Sequence, residues 1–114
     1  MARRSDVVIE EILDAIMLIE QELVGHTQAS FATALFLQRG TERSLEIISE
    51  AVRHLPDALL EMRPEIAWSD VRSIGNRIRH EYWRVDPALI WSIVMDDLPA
   101  LRAAVEDLLR RSRA

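Results

Sequence analysis

Between Trp68 and Trp91 the chain reads WSDVRSIGNRIRHEYWRVDPALIW, and here an imidazole, four guanidiniums, an amide and a phenol crowd together. His80 lies at the centre, Tyr82 two residues on and Asn76 one helical turn before, with Arg72, Arg77, Arg79 and Arg84 around them. An imidazole of ordinary pKa, about 6.5, can take or give a proton near neutrality. A guanidinium binds phosphate or carboxylate oxygens in pairs through its planar fork. The combination suits proton transfer beside an anion, although spacing alone names no reaction. The plain alternative is a solvated helix face, since arginine is a good helix former.

These side chains need an element to hold them. Ser69-Asp70 reads as a helix N-cap with an acid in the first turn, and Asp86-Pro87 as a cap and first-turn proline opening the next helix. The spacing predicts a helix from about Ser69 to about Trp83. At 100° per residue Val71, Ile74, Gly75, Ile78 and Tyr82 share one side. Arg72, Ser73, Asn76, Arg79, His80, Trp83 and Arg84 spread over the other. The apolar side must be core, which leaves His80 outward with Asn76 on the same face.

The run GNRIRHEYWRVD, Gly75 to Asp86, resembles the signature of the HepT-like toxins of the HEPN superfamily, which are small helical ribonucleases. SLEIISEAVRHLPDAL, Ser44 to Leu59, with RPEIAWSDVRSIGN after it, is similar to that family's central helix, Leu-Pro connector and Trp-led entry into the motif helix. PALIWSIVMDDLPAL, Pro87 to Leu101, is similar to its last helix. The resemblance covers most of the chain and is weakest over Glu22 to Gln38. It implies an antiparallel helical bundle, a homodimer whose motif helices build a composite site, and cleavage of RNA, tRNA or mRNA, without metal or other cofactor. It also implies a minimal nucleotidyltransferase antitoxin that attaches AMP to the motif tyrosine. Carried over by position, the histidine is His80, the tyrosine Tyr82 and the polar residue after the motif arginine Asn76.

One position departs from the pattern. The family's arginine normally lies four to six residues before the histidine, and the residue preceding Asn76 is Gly75. Metal-free cleavage needs a base for the 2'-hydroxyl proton and a fixed cation for charge growing on the phosphorane. Glycine supplies no cation, so Arg72, Arg77 or Arg79 must serve instead, Arg72 and Arg79 sharing a side. Otherwise the chain is a non-catalytic helical accessory or substrate-presenting subunit of a separate nucleotidyltransferase.

Length and composition bound the rest. At 114 residues, 49% hydrophobic and 29% charged, with three glycines and four prolines, the chain reads as one globular domain over 1–114. The absence of cysteine excludes a disulfide framework, a zinc finger and a thiol nucleophile. No apolar run has the length of a signal or a membrane span, so the expectation is a soluble, cytoplasmic protein with no membrane partner. A net charge of −5 argues against a broad nucleic-acid binder, whereas the Trp68 to Trp91 stretch carries four arginines against Asp70, Glu81 and Asp86. That balance fits a local RNA or nucleotide site on an acidic body, and equally a site that meets a partner.

The other elements follow from periodicity. Asp6 to about Val24 forms a first helix with the stripe Val8, Ile12, Ile16, Ile19 and Leu23. Ile9, Leu13, Met17 and Leu18 widen the stripe, so this helix is expected to be covered on two sides. A short helix near Thr27 to Ala32 precedes a long one to Leu55, with Leu45, Ile48, Val52 and Leu55 inward. Glu46, Glu50 and His54 lie on its opposite side as a solvated row; a di-iron site would need Glu-x-x-His twice, pointing inward. Pro56 ends that helix, Trp68 packs back as a staple, Trp91 is core, and Pro99 bends or interrupts the last helix. The fold class is all-α, a bundle of four main helices plus short connectors.

Overall fold

The computed structural model describes residues 3–81 and 83–114, and all of their side chains except those of His80, Glu81 and Arg84. Helices α1 (Ser5–Leu23), α2 (Gln28–Ala32), α3 (Leu35–Val52) and α4 (Asp57–Leu60) lead to the motif region. There α5 (Trp68–Arg72) and α6 (Ile74–Ile78) run into β1 (Arg79–Glu81), which pairs antiparallel with β2 (Arg84–Val85). Helix α7 (Pro87–Ser92), a π-helical turn at Ile93–Asp97, and α8 (Leu98–Arg113) close the chain.

Helix α1 is the centre of the bundle because its apolar positions exceed one stripe. Val8, Ile9, Ile12, Ile16, Ile19 and Leu23 are buried, and α1 packs on both α3 and α8. Leu13 is partly buried, while Met17 and Leu18 stay exposed, so the buried stripe is narrower than the apolar one. Charge pairs set the antiparallel fit of α1 and α8: Arg102 reaches Glu20, and Arg113 reaches Glu10. Phe31, buried, and Trp91, partly buried against the core, stack in tilted geometry with ring centroids 5.5 Å apart, joining α2 to α7.

Local chemistry explains the boundaries. Gly25, at φ 81°, takes the left-handed conformation that ends α1. Thr27 and Ser30 form a capping box on α2. The Asp86 carboxylate accepts from the amides of Ala88 and Leu89 ahead of Pro87, the cap read from the sequence. Pro99 sits in the first turn of α8, directly after the π-helical turn: lacking an N–H, it cannot continue the ladder, and the helix takes up the fault there.

The helical class holds, but the single helix expected from Ser69 to Trp83 does not form. Ser73 breaks it, with φ −108° and ψ 13°, while its hydroxyl donates back to the carbonyls of Ser69 (2.9 Å) and Asp70 (3.3 Å). The Arg72 carbonyl is engaged from α3, by Ser49 Oγ at 2.7 Å and Arg53 Nη2 at 2.9 Å. Those tertiary bonds take the place of the next intrahelical bond. Past Ile78 the backbone is extended, so Arg79 and His80 belong to a hairpin and no helical face relates His80 to Asn76. The N-cap is Ala67 rather than Ser69, and Trp68 is already helical. Trp68 still packs back: it is 9% exposed, and its indole N–H donates to the carbonyls of Leu60 (2.9 Å) and Arg63 (3.0 Å).

Candidate functional site

Helix α3 lies against α5 and α6, and a polar cleft of about 280 Å³ opens between them. Its α3 wall carries Arg43, Glu46, Ser49, Glu50 and Arg53. Its other wall carries Arg72, Gly75, Asn76 and Arg79. Ile74 and Ile78 are buried on the far side of α6, which turns Asn76 and the Gly75 backbone toward this opening.

Arg79 is the cation beside Gly75. Its Nη2 lies 3.5 Å from the position a Cβ on Gly75 would occupy, and 2.9 Å from Glu46 Oε1. The same hypothetical Cβ is 3.9 Å from Glu46 Cγ. An extended backbone at residue 79 thus returns this guanidinium over the preceding helical turn. Glu46 also accepts a looser ion pair from Arg43 at 3.6 Å. Partial burial and the neighbouring Glu46 carboxylate push the Glu42 carboxyl up, opposed by Arg79 and Arg39.

The other sequence candidates divide. Arg72 lines the cleft, with its Nη2 on Asp57 at 2.9 Å. Arg77 does not join them: it borders a different cavity, alongside Asp70, Asp96 and Asp97 between α5, α6 and α8. The backbone of His80 follows Arg79 in β1, its side chain lying outside the described residues, as does Tyr82 altogether. Trp83 is 58% exposed.

Arg43, Arg53 and Ser49 are cleft residues that the sequence motifs do not single out. The signal of the two arginines lies in their spacing, since Arg43, Glu46, Glu50 and Arg53 recur at three- and four-residue steps, so that the arginines flank the two carboxylates on one face. The row is outward as expected for Glu50, which pairs with His54 at 3.5 Å; Glu46 turns instead toward Arg79. Among the described residues no group of ligating side chains could hold a metal ion, and no helix is long and apolar enough to cross a membrane.

Known proteins resemble this chain over most of its length. The family described as Ribonuclease HepT-like matches residues 12–108. The chain is 29% identical over 105 residues to "Putative RNase TTE0752" of Caldanaerobacter subterraneus subsp. tengcongensis, covering 92% of this chain and 94% of that one. It is 32% identical over 100 residues to "Probable ribonuclease HepT" of Thermococcus cleftensis, covering 88% and 91%. It is 35% identical over 104 residues to "Gamma-glutamylcyclotransferase and putative RNase MJ0434" of Methanocaldococcus jannaschii, covering 90% of this chain and 47% of that longer one. No solved structure gives a significant match.

Proposed function

The chain belongs to the HepT-like ribonuclease family, and we propose that it cleaves RNA without a metal, with His80 moving the proton and Arg79 holding the scissile phosphate. The observation that carries this reading is the Arg79 guanidinium beside Gly75. Where the family pattern places an arginine, this chain has a glycine, and an arginine from four residues on fills the space. A planar cation fixed there by Glu46 suits charge developing on a phosphorane, because little reorganisation accompanies the reaction. Asn76 and Arg72 line the same cleft and orient the substrate around it. Arg77, in another cavity, has no part.

In this reading the protein acts in the cytoplasm as the toxin of a toxin-antitoxin pair. A minimal nucleotidyltransferase silences it by attaching AMP to Tyr82, two residues beyond His80. Two protomers pair so that their clefts form one groove. Leu35, Phe36 and Ile47 support the pairing, being exposed apolar residues on α3, with Phe36 92% exposed.

The test is cleavage of total tRNA and mRNA in chelator by the parent, His80→Ala and Arg79→Ala, each checked for fold, dimerisation and absence of added AMP by intact mass. Cleavage by the parent alone supports the assignment. A well-folded, unmodified parent that cuts neither RNA overturns it, and leaves a non-catalytic partner of a nucleotidyltransferase.

A further inference from the structure

The cleft is longer than one phosphate needs. Arg43, on α3, and Arg53, the cap at its C-terminal end, stand ten residues apart, which is about 15 Å along a helix at 1.5 Å per residue. We propose that Arg53, with Arg72, and Arg43 are subsites for the phosphates that flank the scissile one in a single RNA strand laid along α3. The proposal rests on the ribonuclease reading for the identity of the anion.

Three features support it. Each guanidinium is anchored on one edge and open on another. Arg53 donates through Nε and Nη2 to the Arg72 carbonyl, and Arg43 faces Glu46, yet their side chains remain 52% and 71% exposed. Five N–H donors per guanidinium leave several for a ligand, already oriented by the anchor. The cleft also gathers four arginines against Glu46 and Glu50 in a chain of net charge −5, so its sign is opposite to that of the whole. The cleft, of about 280 Å³, is walled by polar and charged side chains apart from Gly75, and positively charged grooves of this kind track a backbone without reading its sequence.

The probe is a fluorescein-labelled oligoribonucleotide with 2'-O-methyl sugars, which binds but cannot be cut. Anisotropy is followed across a salt series for the full chain, Arg43→Ala, Arg53→Gln, the double variant and Arg110→Ala, a charge-matched control on α8. Arg43→Ala removes an exposed side chain with one loose ion pair, so it keeps the test valid if Arg53→Gln disturbs α5. The expected result is weaker binding for each cleft variant and roughly tenfold for the pair, the slope of log K against log salt falling by about 0.7 for each phosphate no longer neutralised. Arg110→Ala should bind like the parent.

No binding by the parent, or an equal loss in Arg110→Ala, overturns the proposal. Displacement of the probe by polyglutamate as readily as by unlabelled RNA also overturns it, since the cleft would then be a general anion surface. Binding that depends on Arg43 and Arg53 in a protein that cuts no RNA would uphold the subsites while the catalytic reading fails.

Discussion

Arg79 Nη2 lies 3.5 Å from where a Cβ on Gly75 would stand, so the guanidinium of one residue occupies the space left by the missing side chain of the other. A guanidinium thus stands beside position 75 although the residue there is glycine. A nuclease reading can survive a glycine at the motif place if the charge arrives from elsewhere.

The first prediction moves the cation. Arg79→Ala should lower RNA cleavage by about 10²–10³-fold, the usual cost of removing one preorganised charge-stabilising donor. Gly75→Arg added to that background should recover a large part of the loss, because a side chain from position 75 enters the same space. Initial rates on one RNA substrate decide it. A double variant no better than Arg79→Ala shows that the cation does not act from this space.

Gly75→Ala should stabilise the fold. The new methyl meets Arg79 and Glu46 at ordinary van der Waals distances, and alanine is favoured over glycine in a helix by about 1 kcal/mol. Urea denaturation should show a higher midpoint at unchanged slope, and a lower midpoint would overturn the prediction.

Trp68→Phe should destabilise by about 1–3 kcal/mol, since the Leu60 and Arg63 carbonyls each lose the indole donor in a buried setting. The loss should appear in urea unfolding.

Glu42 gives a pH dependence of definite sign. Its carboxyl is pushed up by partial burial and by Glu46, so the folded chain binds this proton more tightly than the unfolded chain. The associated stability is present below the unfolded carboxylate value and is lost as pH rises through the folded one. Glu42→Gln should therefore flatten the decline of thermal midpoint with rising pH just above the ordinary carboxylate range. A decline as steep as the parent's would assign it to another group.

Asp107 has the opposite sign. A hydrogen bond from Arg111 at 2.8 Å and a further contact from Arg63 at 3.3 Å hold its carboxyl below the usual range. Its contribution is present above the ordinary carboxylate value and is lost as pH falls through the folded one. Asp107→Asn should lower stability at neutral pH and make its decline below the ordinary carboxylate range shallower than the parent's, read by far-UV circular dichroism across a pH series.

The helical class, the order of the main helices and most of the core are legible in the amino-acid order alone. Apolar residues at three- and four-residue steps, Gly25 as a stop, and the Asp86-Pro87 cap are local signals, and the chain obeys them, whereas α3 ends at Val52, short of the expected Leu55, and Pro56 instead caps α4. The family resemblance, and with it His80, Tyr82 and Asn76 as the residues to watch, needs no coordinates either.

How the motif residues lie is a matter of packing across the chain. The Ser69 to Trp83 stretch has a helical pattern, yet Ser49 and Arg53 of α3 engage the Arg72 carbonyl, the break falls at Ser73, and the chain beyond Ile78 is extended. Helical spacing joins Arg72 to Arg79 and does not anticipate that Arg79 would return over Gly75 through β1, or that Arg77 would face the acids of the opposite cavity. A propensity is a sum over neighbours in sequence, whereas a carbonyl chooses among every donor within reach. Between Arg72 and Arg79 the partners that mattered came from about twenty to thirty residues away, on α3.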